Sequence, residues 1–269
     1  MPEALMSTIP TISDDRFHAE ILGRTAELTE IINGDIERFV PTCPGWTFKQ
    51  LATHLGRGHR WAAHLVATRA DTFISPREVP DGKLPADPAL HAEWLNRGAA
   101  LVVEAVTAAG TEPVWTFLGI RPAGFWARRR AHEAAVHLAD AQLATGRDAG
   151  LPADLAADGI DEWLEIIAAS SEGPGDLVIA QVAGLRGDGQ TLHFHTTDDG
   201  LSGAGEWMVR RTPSGITVER GHGKADVAVR GPAATMLLVL MRRLPSSVQG
   251  IEVYGDDSLL THWLEHTQF

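Results

Sequence analysis

Across the amino-terminal part of the chain, apolar positions recur three and four residues apart, the period of an amphipathic helix. Phe17, Ile21, Leu28 and Ile32 predict a first helix from Asp14 to about Asn33, where Asn33-Gly34 supplies a stop. A Pro-rich loop, Pro41-Thr42-Cys43-Pro44-Gly45-Trp46, leads into a second helix with Thr47 at its N-cap. The apolar stripe of that helix is Leu51, Leu55, Ala62, Leu65 and Val66. Pro76, Pro80, Pro85 and Pro88 interrupt the pattern. A third helix is expected from about Ala89 to Ala109, a fourth from Phe125 to Thr145 ending at Gly146, and a fifth from Pro152 to Ser170. Four long helices with loops between them predict a bundle.

The period changes near Ser171-Glu172-Gly173-Pro174-Gly175. Strand-like segments follow at Leu177–Val182, Thr191–Thr196, Glu206–Arg211 and Ile216–Glu219, the last two joined by the hairpin signal Thr212-Pro213-Ser214-Gly215. Ala225–Val229 reads as another strand. Gly231-Pro232 opens a helix to about Arg243 with Pro in its first turn. Ile251–Tyr254 is a final strand, and Asp256 or Asp257 caps a closing helix containing Leu259, Leu260, Trp263 and Leu264. The expected fold is therefore α plus α+β, with a helical domain over residues 1–172 and a smaller α+β domain over residues 173–269.

The chain has 269 residues, 44% of them hydrophobic and 22% charged, a balance ordinary for a soluble globular protein. No uninterrupted apolar run is of membrane-spanning length and no basic-then-apolar leader is read, so a cytoplasmic protein without a membrane partner is expected. A net charge of −12 argues against a nucleic-acid partner, because phosphate contacts need clustered Lys and Arg. The consecutive Arg128, Arg129 and Arg130 read as a solvated helix face, and Arg242-Arg243 is a second, shorter basic stretch. Positive charge is nearly all Arg, and with abundant Ala and Gly this points to a GC-rich bacterial genome. A lone cysteine, Cys43, excludes an internal disulfide or a Cys-rich zinc site and fits a reducing compartment. It sits in a Pro/Gly-framed loop without a neighbouring base and reads as a packed or loop cysteine. Trp46, Trp61 and Trp126 read as core or domain-contact residues. A monomer or a homodimer is equally compatible.

The densest chemistry lies on the fourth helix, in Ala131-His132-Glu133-Ala134-Ala135-Val136-His137-Leu138-Ala139-Asp140. His132 and His137 stand about 140° apart around a helix, so they do not share a face. Glu133 and His137, at i and i+4, do share one and can converge on a metal ion. Asp140 follows near that face, where it can orient a ligand imidazole. Such a pair is also common on solvated helices. His54, on the second helix beside the stripe, is a candidate for a third ligand, although a histidine there is more often simply packed. His59 and His64 point elsewhere, yet spacing alone does not remove them.

Pro41-Thr42-Cys43-Pro44-Gly45-Trp46-Thr47, followed by Leu51-Ala52-Thr53-His54-Leu55, resembles the amino-terminal signature of the mycothiol-dependent maleylpyruvate isomerase family. Arg129–Asp140 resembles its second signature. That family belongs to the DinB-like superfamily of four-helix bundles, and the resemblance implies that its metal-binding His, Glu and His fall on His54, Glu133 and His137. Ala225-Asp226-Val227-Ala228-Val229-Arg230-Gly231-Pro232, with the Leu-rich helix ending Arg242-Arg243, is similar to the family's sterol-carrier-like carboxy-terminal domain. That helix commonly ends in Gly-Arg, so Arg243 takes the Arg position, while Arg242 in place of Gly reduces backbone freedom.

What the resemblance implies is a zinc or other first-row divalent centre that activates a low-molecular-weight thiol, mycothiol, the thiol of actinobacteria. The thiol would be transferred to a small electrophile or used to isomerise it. Three ligands leave a coordination position open, the mark of a catalytic site. Arg243, with Arg230 as second choice, is expected to pair with a carboxylate of substrate or cofactor across the domain interface. His132 is expected to support a ligand from behind. A thiol-independent metal-assisted hydrolase, or a non-catalytic metal- or small-ligand-binding protein, are the alternatives.

Overall fold

Helix α1 (Asp14–Ile32) starts where Ser13 caps it, its Oγ accepting from the Arg16 N–H at 3.3 Å, with Asp14 and Asp15 favouring the positive end of the helix. The computed structural model describes residues 12–172, 180–201 and 205–267. Helix α2 (Phe48–Ala67) has the expected cap at Thr47, reinforced by Gln50 into a capping box. A short 3-10 turn, Pro88–Leu90, leads into α3 (His91–Ala109), and α4 (Gly124–Ala144) completes the bundle. Between α3 and α4 lies a two-stranded hairpin that periodicity does not reveal, β1 (Pro113–Thr116) with β2 (Gly119–Pro122). Four residues per strand are too few to show an alternation.

Each of α1 and α2 packs against α3 and α4. Leu28, Ile32, Leu51, Leu55, Leu95, Ala134 and Leu138 meet in one buried cluster. Helix α2 approaches α3 closely because Gly56 faces Trp94: a Cβ there would collide with the indole. Over the same ring lies the Arg60 guanidinium, 4.2 Å from the centroid. Helix α4 is buried on more than one side, and its alanines at 127, 131, 134, 135, 139 and 141 keep it thin enough to be surrounded.

From Leu151 onward the chain forms a separate unit; the helical unit comprises Ser13–Gly150. Helix α5 (Ala153–Glu172) therefore stands with the α+β unit rather than with the bundle, where the break at residues 172 and 173 puts it. Its apolar face explains why: Ile160, Trp163, Leu164 and Ile167 are buried in one core with Phe194, Trp207, Val229 and Leu237. The division between the units falls between Gly150 and Leu151.

The sheet has the order β5-β4-β3-β6-β7, with β3 and β6 parallel and the other pairs antiparallel. Its strands are β3 (Thr191–Thr196), β4 (Glu206–Thr212), β5 (Gly215–Arg220), β6 (Val227–Gly231) and β7 (Glu252–Gly255). Leu192, Phe194, Trp207, Val209, Val227 and Val229 turn to the core, so the alternate residues lie on the opposite face. The hairpin at Thr212-Gly215 forms as expected. Of the strand expected at Leu177–Val182, residues 177–179 lie outside the described ones, and Ala180–Leu185 forms 3-10 turns instead.

Helix α6 (Ala233–Leu240) stops before Arg243, and α7 (Asp257–His266) is capped by Asp256. Beyond α6, Arg242 adopts φ +60°. The Arg242 and Arg243 N–H groups bond back to the carbonyls of Val239 and Leu238 at 2.9 and 2.7 Å. This is a Schellman stop with an arginine at the left-handed position that usually holds glycine. No helix among the described residues is long and apolar enough to cross a membrane.

Candidate metal centre

Helix α4 presents Glu133 and His137 on one face, and the neighbouring α2 brings His54 to them. The Nε2 atoms of His54 and His137 lie 3.3 and 3.4 Å from the same oxygen, Glu133 Oε2. The two rings meet edge to face with centroids 4.9 Å apart. All three donor atoms lie within 4.8 Å of one another. Around an ion with bonds of ~2.0–2.1 Å, neighbouring tetrahedral ligands stand about 3.3 Å apart. The donor set and its spacing therefore fit a first-row divalent ion, whose preference is for imidazole and carboxylate together.

Second partners fix His137 and Glu133. His137 Nδ1 donates to Asp140 Oδ2 at 2.9 Å, which turns Nε2 toward Glu133. Asp140, fully buried, also accepts from Thr42 Oγ1 at 2.5 Å and Cys43 Sγ at 3.4 Å. The other Glu133 oxygen, Oε1, accepts from Arg129, and Arg130 Nη1 stands 3.7 Å from Oε2. Burial alone would raise the Glu133 pKa, but Arg129, the two imidazoles and Arg130 hold it well below the usual carboxylate range. Burial likewise disfavours a charged His137, yet Asp140, Cys43 and Glu133 overcome it and push its pKa up to about 10. The more open His54 is pushed down by its loss of water, with His137 and Arg130 adding to the effect against the pull of Glu133.

The loop ahead of α2 closes over the cluster. Cys43-Pro44-Gly45-Trp46 is a tight turn, with the Trp46 N–H on the Cys43 carbonyl at 3.0 Å and Gly45 at φ +82°. Pro at the second position and a left-handed residue at the third make it a type II turn, which explains Gly45. It swings the Trp46 indole beside both imidazoles, 5.1 Å from His54 and 6.2 Å from His137 between centroids. Trp46 thus walls the site and is not merely core, whereas Trp126 is core. Cys43 is a half-buried loop residue, as expected, but its thiol serves Asp140.

Spacing misjudges the arginine run. Arg129 turns to Glu133, and Arg130 is buried, donating to His59 Nδ1 at 3.2 Å and to the Leu55 carbonyl at 3.1 Å. His59 is spent between Arg130 and Thr25 Oγ1, 3.1 Å away. His64 stands ten residues beyond His54, about 15 Å along the helix at 1.5 Å per residue. His132 is buried edge-on against Phe17 of α1, with centroids 5.9 Å apart. In the other unit, Arg243 Nη1 donates to the Met241 carbonyl at 2.7 Å, and Arg230 forms an exposed pair with Glu252 at 3.0 Å.

A helical unit carrying an imidazole–carboxylate–imidazole cluster, followed by an α+β unit, defines a two-part protein with a candidate metal centre in its bundle. Residues 16–142 match the family model described as the mycothiol maleylpyruvate isomerase N-terminal domain, and residues 154–262 match the MDMPI C-terminal domain. The chain belongs to the mycothiol-dependent maleylpyruvate isomerase family. Among solved structures it is similar to the crystal structure of the mycothiol-dependent maleylpyruvate isomerase, with TM-score 0.56 and 16% identity over 92% of this chain and 95% of that one. A histidine-to-alanine mutant of that enzyme matches with the same values. At this identity the likeness is one of fold, a helical domain followed by an α+β domain. No curated protein matches significantly.

Proposed function

We propose that the chain is a mycothiol-dependent isomerase in which His54, Glu133 and His137 hold a divalent ion, zinc by the character of the donors, for use on a small conjugated electrophile. The observation that carries this reading is the convergence of both Nε2 atoms on Glu133 Oε2. When bound, the ion supplies Lewis acidity that lowers the pKa of a coordinated thiol from about 8.5, making it a nucleophile at neutral pH. The thiol supplies reversible addition to a conjugated double bond, which permits rotation before elimination.

The chain's own groups prepare that chemistry. Asp140 accepts the Nδ1 proton of His137 and so keeps Nε2 aimed at the shared point. Arg129 occupies Glu133 Oε1 and holds the group as a carboxylate, leaving Oε2 for the centre. Trp46 shields one side of the two imidazoles from water. His54, the most exposed of the three, marks the side from which small molecules approach. Arg243 is proposed to pair with a carboxylate, a role suited to its planar fork. Release of the thiol after rotation makes the reaction an isomerisation; release of the adduct would make it a transfer.

Metal content and mycothiol affinity, measured together in the wild type and in His54→Ala, Glu133→Ala and His137→Ala, test the proposal. Each variant is expected to lose metal from this centre and to bind the thiol more weakly. Unchanged metal content in all three would overturn it. Turnover that survives omission of the thiol would instead support hydrolysis.

A further inference from the structure

A second cluster of metal-binding side chains lies in the α+β unit, on the face of the sheet opposite its core. Because Leu192 and Phe194 of β3 point into the core, His193 and His195 point the other way. The register sets His195 directly across from Glu206 of β4, with His193 on the adjoining diagonal. Past the end of β5 the chain turns back at Gly221, φ +137°, whose N–H donates to the Glu206 carbonyl at 3.0 Å. That turn lays Gly223 against Met208 and delivers His222 to the same carboxylate.

Three imidazole nitrogens surround one oxygen. His193 Nε2, His195 Nδ1 and His222 Nδ1 lie 2.9, 3.3 and 2.7 Å from Glu206 Oε2. The rings stand around it with centroids 5.1–6.0 Å apart. One carboxylate oxygen offers about two lone-pair directions to hydrogen-bond donors, so three imidazoles over-fill it. A cation among the four groups reverses that conflict, since each nitrogen then offers its lone pair and the oxygen its charge. All four donor atoms lie within 4.8 Å of one another. The nearest strand neighbour of like sign, Arg230 opposite His195, is held by Glu252.

We propose that His193, His195, Glu206 and His222 form a second divalent-metal site, one that takes a first-row ion such as zinc in a closed four-ligand shell. Three nitrogens and one carboxylate disfavour magnesium and calcium, which take oxygen donors. Four protein ligands leave no position for substrate, which is the arrangement of a structural site. Bound there, the ion ties the segment after β5 to the sheet through His222, whose side chain is otherwise 73% exposed. Neither the site nor its occupant depends on the function proposed for the bundle.

Zinc(II) is titrated into chelator-stripped, full-length protein, with stoichiometry read by calorimetry and by elemental analysis after desalting. The wild type is expected to hold two equivalents. His222→Ala, which alters an exposed loop side chain and spares the fold, is expected to hold one and to weaken the other at least tenfold. Glu206→Gln is expected to do the same. His54→Ala is expected to keep the equivalent that His222→Ala loses, and cobalt(II) in its place should show the visible bands of a four-coordinate ion. A single equivalent lost with His222→Ala but retained in His54→Ala would still support this site while removing the one in the bundle. A single equivalent insensitive to both His222→Ala and Glu206→Gln would overturn the proposal.

Discussion

Replacing Asp140 tests how the bundle's centre is held together. Asp140 lies fully buried, receives the His137 Nδ1 proton at 2.9 Å, and takes further bonds from Thr42 at 2.5 Å and Cys43 at 3.4 Å. In Asp140→Asn the side-chain oxygen can still face His137 while the amide turns to Thr42, whose hydroxyl can accept as well as donate. Geometry is kept and charge is lost. A charge-assisted hydrogen bond exceeds a neutral one by about 1–1.5 kcal/mol, so intrinsic metal affinity should fall about tenfold. Asp140→Ala removes the acceptor altogether and leaves a buried N–H behind, for a loss nearer 100-fold.

Protons complicate the measurement in a way that sharpens it. Metal-free His137 titrates near 10, so below that pH an incoming ion must displace a proton from Nε2. Asp140 favours the protonated ring as well as the metallated one. Its removal therefore relieves part of the competition near neutral pH and hides part of the loss. As pH rises toward 10 the wild type sheds that competition and the variants, already less protonated, gain little. The deficit should widen with pH. The assay is competition for zinc against a chromophoric chelator across this range, in a His222→Ala background that leaves only the bundle's centre. Wild-type affinity in Asp140→Ala at both ends of the range would refute the account of Asp140 as the group that aims His137.

Other consequences concern stability. Arg242→Gly should stabilise the protein by about 1 kcal/mol, the left-handed penalty of ~1–2 kcal/mol less the entropy glycine gains when unfolded; an unchanged denaturation midpoint would deny the strain at φ +60°. Gly56→Ala should destabilise by about 1–3 kcal/mol despite alanine's better helix propensity, because the methyl collides with Trp94, and urea melts will read the sign. His59 is held well below 6.5 by burial and Arg130, so it takes up a proton mainly on unfolding. Its contribution is complete above pH 6.5 and drains away as pH falls below it, and His59→Gln should flatten that slope by about one proton.

How far the sequence reveals all this depends on the period each feature needs. The helical pattern from Pro152 to Ser170 is legible to within two residues of α5, but no pattern says whether α5 packs on the bundle or on the sheet, because its buried residues satisfy either. Helices α1, α2 and α4 and the caps at Thr47 and Asp256 are legible since their signals are local. The i,i+4 pairing of Glu133 with His137 is legible for the same reason. That Arg129 and Arg130 turn inward is not: three arginines in a row look solvated unless the carboxylate and imidazole they neutralise are known to be buried beside them. Trp46 is missed because a type II turn, not a helix, aims it. The left-handed Arg242 is half visible, as an arginine where the family resemblance leads one to expect glycine.

The two clusters differ for a reason rooted in backbone geometry. A helix offers two ligands per face at i and i+4, as Glu133 and His137, and the neighbouring α2 adds His54. With three donors a bound ion would keep a position open, which suits the thiol chemistry proposed above. A sheet offers His193 and His195 at i and i+2 and Glu206 across the strand gap, already three donors on one flat face. Only a loop folding over that face can complete the shell, and the segment after β5 brings His222 from above, opposite the sheet. Closure is then built in. The bundle's ion should accordingly exchange a ligand with solvent readily, and the sheet's ion should be released only when His222 lifts away.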